Sequence, residues 1–243
     1  MINRESIVLS VQQTARRLGV ELTRFSPESS DVARMQRLLS YHKVTVVLDV
    51  GANKGQYAAS LRRNGYRGMI VSFEPLSSAY TDLVASSRKD PRWEVAPRTA
   101  IGDSNGEVVI NVSKNQVSSS VLEMLEAHSS AAPDSTYIDT EIVSMSRLDS
   151  IALPYLSGKD SVYLKIDTQG FERQVLNGAV GILPRICGVQ LELSLTPLYK
   201  GETSFRDMLD HMTVLGYELH GLTPAFTDAT SGRLLQVDGV FFK

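Results

Sequence analysis

The chain predicts a doubly wound α/β fold with a largely parallel sheet, and three observations carry that prediction. The first is the stretch Val44 to Ala59. Its apolar run Val44, Val46, Val47, Leu48 ends at Asp49, turns through Gly51–Gly55 and enters a helical turn at Gln56, Tyr57, Ala58, Ala59. A buried strand feeding a glycine-rich turn and a helix is how α/β proteins hold a nucleotide-like ligand at the carboxyl edge of a sheet. Gly51 and Gly55 carry no Cβ, so the backbone can turn sharply there and approach a ligand. The free N–H groups of the helix start then face it. The second observation is Val162-Tyr163-Leu164-Lys165-Ile166-Asp167, another strong strand closed by a carboxylate. The third is the alternation of strands with helices over most of the length, the pattern of a parallel sheet covered on both faces.

Length and composition agree with this class. A chain of 243 residues, 42% hydrophobic and 21% charged, can fill one α/β core and cover it. Lys and Arg total 25 against 27 Asp and Glu, a balance that does not suggest a nucleic-acid partner. A lone cysteine, Cys187, excludes an intrachain disulfide and a cysteine zinc cluster. No apolar stretch approaches the ~20 residues that span a bilayer, and no signal-peptide core opens the chain. The expectation is a soluble, cytoplasmic protein.

The elements follow in order. Residues 3–19 read as a helix, with Ile7, Val8, Val11, Ala15 and Leu18 at three- and four-residue spacing and Gly19 as a stop. Arg16, Arg17 and Arg24 mark either the solvated end of a helix packed on the domain, or a substrate entrance or contact with an anionic membrane surface. A second helix runs from an N-cap at Asp31 to about Tyr41, with Val32, Met35, Leu38 and Leu39 inward. Together they form an N-terminal helical extension, 1–43, ahead of the main domain, 44–243. Beyond the glycine turn come a helix to Arg63, a strand 69–73 that stops at Glu74-Pro75, a helix 78–87 and a strand 93–96. Ala100 to Asp103 form a turn, and Asn105-Gly106 opens a half-exposed strand over 107–112. The segment 113–136 holds Ser118-Ser119-Ser120 and a short helical piece at 122–127, and is a mobile lid or simply a loop. Residues 137–143 pair with 107–112. After Asp167 come a helix through Gly178, a strand 189–193 carrying Glu192, a helix 205–215, and strands 217–222 and 237–242. The short link between these last two strands makes the final one antiparallel.

Three strand ends bear acids in series. Asp49 sits with the glycine turn, and Glu74 stands where a nucleotide fold places an acid for ribose hydroxyls. Asp103 follows the next strand, placed to meet an adenine amino group. The spacing G-x-x-x-G, with Asn53 inside, lacks the third glycine of the dinucleotide pattern, so the series points to an adenosine without a pyrophosphate.

D-V-G-A-N-K-G with F-E-P resembles the first two motifs of class I S-adenosylmethionine (SAM)-dependent methyltransferases. With A-I-G-D at 100–103, S-S-S at 118–120, L-D-S-I at 148–151, K-I-D-T-Q-G-F-E at 165–172 and D-G-V-F-F at 238–242, residues 44–243 resemble the FkbM family of methyltransferases. Gln169 departs from the acid that the family often carries. The resemblance implies a seven-stranded class I methyltransferase sheet with the last strand antiparallel. It implies SAM as cofactor, lined by Asp49, Gly51, Asn53, Gly55, Tyr57, Glu74, Pro75, Asp103 and Asp167. Glu74 would hold the ribose diol, and Asp167 would stand beside the methyl-bearing sulfur. It further implies methylation of a hydroxyl on a small molecule or glycolipid, most often a sugar, with peripheral membrane contact open; the alternatives are a non-sugar natural-product hydroxyl or carboxyl as acceptor, or a domain that binds SAM without catalysing.

A sulfonium methyl is already electrophilic, so alignment of the nucleophilic oxygen supplies much of the acceleration. A sugar hydroxyl still has a proton to lose, to a base or with the help of a metal. Asp167 and Glu192 are the two candidate catalytic carboxylates. They act as bases or share a divalent ion, or else they orient the cofactor and satisfy a loop. His128 and His220 are candidate substrate contacts, His128 also a candidate base, while His42 and His211 read as structural. Ser118, Ser119 and Ser120 either bind a glycan or cap a helix at Val121-Leu122. Trp93, Tyr137 and Phe226 are candidate apolar walls, or core.

Overall fold

A computed structural model describes residues 4–243, with side chains from residue 8 onward. It divides into two compact units, one ending at Tyr41 and the other running from His42 to Lys243. The first holds α1 (Arg4–Arg17) and α2 (Asp31–Tyr41). Of the α2 residues expected inward, Leu39 is buried and Met35 and Leu38 are half-buried, while Val32 is exposed and Ala33 is buried in its place; on α1, Val8 and Val11 are exposed, as is Leu18 just beyond it. Ile7 lies outside the described side chains. Ser30, not Asp31, caps α2, its Oγ accepting from the Ala33 N–H at 3.3 Å. Asp31 is already the first helical residue and pairs with Arg34 at 2.5 Å.

The second unit is built on a seven-stranded sheet. Its strands are β1 (Val46–Val50), β2 (Met69–Phe73), β3 (Trp93–Val95), β7 (Val162–Ile166), β8 (Ile186–Ser194), β9 (Glu218–Thr227) and β10 (Leu234–Phe242), in spatial order β3-β2-β1-β7-β8-β10-β9. The first five run parallel, and β10 inserts antiparallel to both β8 and β9. The helices α3 (Gln56–Arg63), α4 (Ser77–Ser87), α7 (Glu172–Asn177) and α8 (Phe205–Val214) lie in the connections. β1 and β7 are buried at every position, as central strands covered on both faces must be. Their side chains Leu48, Val50, Leu164 and Ile166 join Val71, Phe73, Val189 and Leu191 in one core. Each such side chain contributes about 1.5–3 kcal/mol by leaving water.

Three strands stand apart from this sheet. β4 (Ala100–Gly102) pairs parallel with β6 (Tyr137–Arg147), and β6 pairs antiparallel with β5 (Gly106–Ser113). The expected pairing of 107–112 with 137–143 is therefore present. The residues 100–102 form a strand of this smaller sheet rather than a turn, so Asp103 does not follow a neighbour of β2 in the main sheet. The helix expected at 122–127 begins later, as α5 (Glu126–Ala131). The segment before it is tied down by single bridges, Asn111 to Ser120 and Met124 to Tyr199. α6 (Leu148–Ile151) leads from β6 toward β7.

Candidate active site

β1 and β2 end in a turn that backbone geometry dictates. Gly51 has φ +75°, and a Cβ there would lie 1.9 Å from the carbonyl oxygen of Asp167. It is glycine because the ends of β1 and β7 converge on it. Gly55 has φ +89° and starts α3, and a Cβ there would meet the Trp93 ring at 2.6 Å. The sharp turn expected at both glycines is present, but Gly55 makes room for a core tryptophan instead of opening a ligand path. Asn53, also at positive φ, donates its backbone N–H to Glu74 Oε2 at 2.8 Å. Its side-chain amide donates to the Gln116 carbonyl at 3.0 Å, tying the turn to the 113–120 loop. Leu76 N–H donates to Glu74 Oε1 at 2.9 Å. Burial pushes the Glu74 pKa up to about 7 against these two hydrogen bonds.

Cross-strand register places a polar row across the middle of an otherwise apolar sheet. Ser72, Asp49, Lys165 and Gln190 are successive partners on β2, β1, β7 and β8, so they share one face. Two residues on along β7 and β8, the same face carries Asp167 and Glu192, and β10 places Asp238 opposite Glu192. Asp49 is fully buried. It accepts from Ser72 Oγ at 3.4 Å, and Ser72 accepts from Trp93 Nε1 at 3.0 Å. Its Oδ1 has no hydrogen-bond partner, and the nearest cation is Lys165 Nζ at 3.8 Å. Lys165 Nζ donates to Asp167 Oδ2 at 3.0 Å and lies 5.3 Å from the centre of the Tyr57 ring. Burial works against the Lys165 ammonium, but the carboxylates of Asp167 and Asp49 outweigh it and hold its pKa above the ordinary value. Burial likewise raises the Asp49 pKa, with Lys165 opposing.

The remaining polar groups are interlocked. Gln169 Nε2 donates to Asp167 Oδ1 at 2.8 Å and to Glu192 Oε2 at 2.6 Å, and Tyr199 OH donates to Gln169 Oε1 at 2.7 Å. Gln236 Nε2 also donates to Glu192, at 3.2 Å. Tyr57 OH donates to Gln190 Oε1 at 2.9 Å. Glu172 caps the loop after β7, accepting from the Thr168 and Gly170 N–H groups at 2.9 and 3.2 Å. Burial, then the charges of Asp167, Glu172 and Asp238, pushes Glu192 well above the usual carboxylate range. Burial and the Asp167 charge bring Asp238 to about 6.

Of these residues, Lys165, Asp167, Gln169, Gln190, Glu192 and Asp238 line one cavity of about 430 Å³ at the carboxyl edge of the sheet, within the range of small-molecule sites. Gly51, Asn53, Tyr57, Glu74, Pro75, Asp167, Glu192, Ser119 and Ser120 all face it. Others expected at the site do not. Asp103 is exposed and bonded to its neighbour Ser104, because its strand belongs to the smaller sheet. Asp49 and Gly55 lie beneath the lining. Ser118 is buried behind it, accepting from Asn115, and no helix starts at the serine run for it to cap. Ser120 Oγ donates to the Gln169 carbonyl at 2.6 Å. His128 is buried between Tyr199 and Phe226, and burial pushes its pKa down to about 4, so it is a neutral packing ring. His220, exposed on β9, leans on Phe242 and His42 away from the cavity. Trp93, Tyr137 and Phe226 pack elsewhere. Among the described residues no three Asp, Glu, His or Cys side chains are grouped to hold a metal ion.

Sequence reading passed over Lys165, Gln190 and Asp238. The signal for the first two was there: each is a polar residue two positions before a chosen acid, on the same face of a strand otherwise apolar.

The family model for the methyltransferase FkbM domain matches residues 49–219. The chain belongs to the FkbM methyltransferase family. Similar solved structures include an FkbM methyltransferase from Methylobacillus flagellatus, at 16% identity over 82% of this chain and 44% of that one, with a TM-score of 0.49. TehB from Haemophilus influenzae matches at 9% identity over 94% and 65%, with a TM-score of 0.48. LepI, solved with SAM, matches at 11% over 99% and 53%, with a TM-score of 0.45. This FkbM-family chain thus spans between 44% and 65% of the length of these three. No curated protein matches it.

Proposed function

We propose that this chain is an O-methyltransferase that carries a methyl group from SAM to a hydroxyl, on a sugar of a glycolipid or a glycosylated small molecule. The observation that carries the reading is the division of the cavity. By strand order, the β2 side of the cavity brings the Glu74 carboxylate with the apolar Phe73 and Leu76, and the ends of β7, β8 and β10 bring Lys165, Asp167, Glu192 and Asp238. The first side fits an adenosine, with Glu74 facing ribose hydroxyls. The acid-rich second side fits a sulfonium cation and a hydroxyl to be deprotonated. Bound SAM supplies an electrophilic methyl group.

The chain's own residues do the rest. Asp167, held by Lys165 and Gln169, presents a fixed carboxylate at the end of β7. Glu192 and Asp238 supply further oxygens for the acceptor, and a positioned carboxylate takes up the hydroxyl proton as the new bond forms. Fixing the two reactants in line contributes the larger share of the rate. Tyr57 and Gln190 close the floor, and the 116–121 segment forms a wall against water.

No described helix is long and apolar enough to cross a membrane. The location we propose is cytoplasmic, in reach of a membrane-borne acceptor. The test is mass spectrometry of glycolipids from cells with and without the gene. Loss of one methyl group from a sugar, restored by the wild-type gene and not by Asp167→Asn, supports the reading. An unchanged glycolipid profile rejects the glycolipid acceptor.

A further inference from the structure

Between the two candidate acids stands a neutral amide. Carboxylates brought to one point repel, and such a pair is held by a shared proton, by a cation or by N–H donors. Here both N–H bonds of Gln169 Nε2 are spent on them, 2.8 Å to Asp167 and 2.6 Å to Glu192. The other Asp167 oxygen takes Lys165 Nζ at 3.0 Å, and Glu192 Oε2 also takes Gln236. Nitrogen donors therefore sit on three of the four carboxylate oxygens of the pair, where an oxygen-seeking divalent ion would otherwise bind, and one of those donors is itself a cation. The Gln169 amide is oriented by its partners, since its N–H groups face two carboxylates and Tyr199 OH donates to its Oε1 at 2.7 Å. Its backbone is fixed as well, at φ +56° with the carbonyl accepting from Ser120. The residue is 8% exposed, with every polar side-chain atom used.

We propose that Gln169 is a positioning residue that stands in for a divalent cation, clamping Asp167 and Glu192 side by side so that both carboxyl groups serve the acceptor hydroxyl. The inference rests on the methyl-transfer reading above for what the two acids do, but the clamp is testable without an acceptor. A carboxylate of the same shape at position 169 would put an acid oxygen within hydrogen-bond distance of two others. Only a cation or a proton relieves that arrangement. Gln169 thus decides which counter-charge this edge of the sheet takes.

The experiment titrates Mn²⁺ into the full chain, followed by electron paramagnetic resonance and by the thermal unfolding midpoint. The wild type shows no saturable Mn²⁺ binding up to millimolar concentration. Gln169→Glu gains one Mn²⁺ site at least about tenfold tighter than any wild-type binding, and its unfolding midpoint rises with Mn²⁺. Adding Asp167→Asn to that variant abolishes the site. Gln169→Leu, similar in size and without a charge, gains none, which separates charge from shape. Saturable binding in the wild type that Asp167→Asn removes would overturn the proposal, and so would a Gln169→Glu variant with the wild type's response. Calorimetry with S-adenosylhomocysteine on the wild type is run in parallel. Its failure would count against the methyl-transfer reading and leave the Mn²⁺ result standing.

Discussion

Lys165 is the only cation in contact with either Asp49 or Asp167 among the described residues, and Lys165→Met removes that charge while keeping an apolar stem. Asp49 is fully buried, and its Oδ1 has nothing else to face. Charges about 4 Å apart interact by about 4 kcal/mol at the effective dielectric of a protein. Breaking one partner of a buried pair costs about 3–5 kcal/mol. Relief of the lysine's own desolvation, and proton uptake by Asp49, offset part of this. We expect a loss of about 3 kcal/mol at pH 8. The pH sign follows from Asp49. Its folded pKa is already raised by burial, and loss of Lys165 raises it further. An acid whose folded pKa exceeds its unfolded value costs stability as pH climbs from the unfolded value toward the folded one. The deficit is therefore smaller at pH 5.5 than at pH 8. Urea denaturation at both values, read at the midpoint with the slope held to the wild type's, measures it. Lys165→Met with Asp49→Asn should recover at least about half the loss, as a double-mutant cycle for contacting groups. A deficit below about 1 kcal/mol at pH 8, or an equal one at both pH values, would refute this account of the buried row.

Other outcomes follow from the same geometry. Gly51→Ala forces a Cβ onto the Asp167 carbonyl and a left-handed φ onto alanine, so it should lose cofactor binding and unfold several degrees lower in a thermal scan. The Glu74 pKa near 7 means that a ligand preferring its carboxylate binds tighter as pH rises from 6 to 8, with proton release on binding near pH 6.5. Calorimetry in buffers of different ionisation enthalpy reads that release. His128→Phe should leave cofactor affinity unchanged and improve stability toward acid. Its depressed pKa means the unfolded chain takes up the proton first, so the native histidine is a liability as pH falls below about 6.5. Urea midpoints at pH 5 and 7.5 check this.

Much of this was legible in the residues. A run of Val and Leu closed by Asp, then a glycine turn and a helix, can fold in few ways, and K-I-D-T-Q-G repeats the device at β7. Element order and the antiparallel last strand follow from alternation and link length. Asp103 was misplaced because nothing local tells that 100–102 pairs with β6 rather than extending the main sheet. Gly55 misled for a similar reason, since Trp93, which requires it, is 38 positions away. His128 looked chemical because its sequence neighbours are polar, while its spatial neighbours Tyr199 and Phe226 are not. Lys165, Gln190 and Asp238 come together only through register, and the clamp at Gln169 needs Tyr199 from a loop far along the chain.

The central claim is that the cavity at the carboxyl edge holds SAM through its adenosine and sulfonium ends. Calorimetric titration of the wild type and of Glu74→Ala with SAM and S-adenosylhomocysteine tests it most directly. The account predicts saturable one-to-one binding by the wild type, tighter for the sulfonium cation at pH 8, and at least about tenfold weaker binding of both by Glu74→Ala. No binding to a folded wild type, or equal binding by the variant, would contradict it.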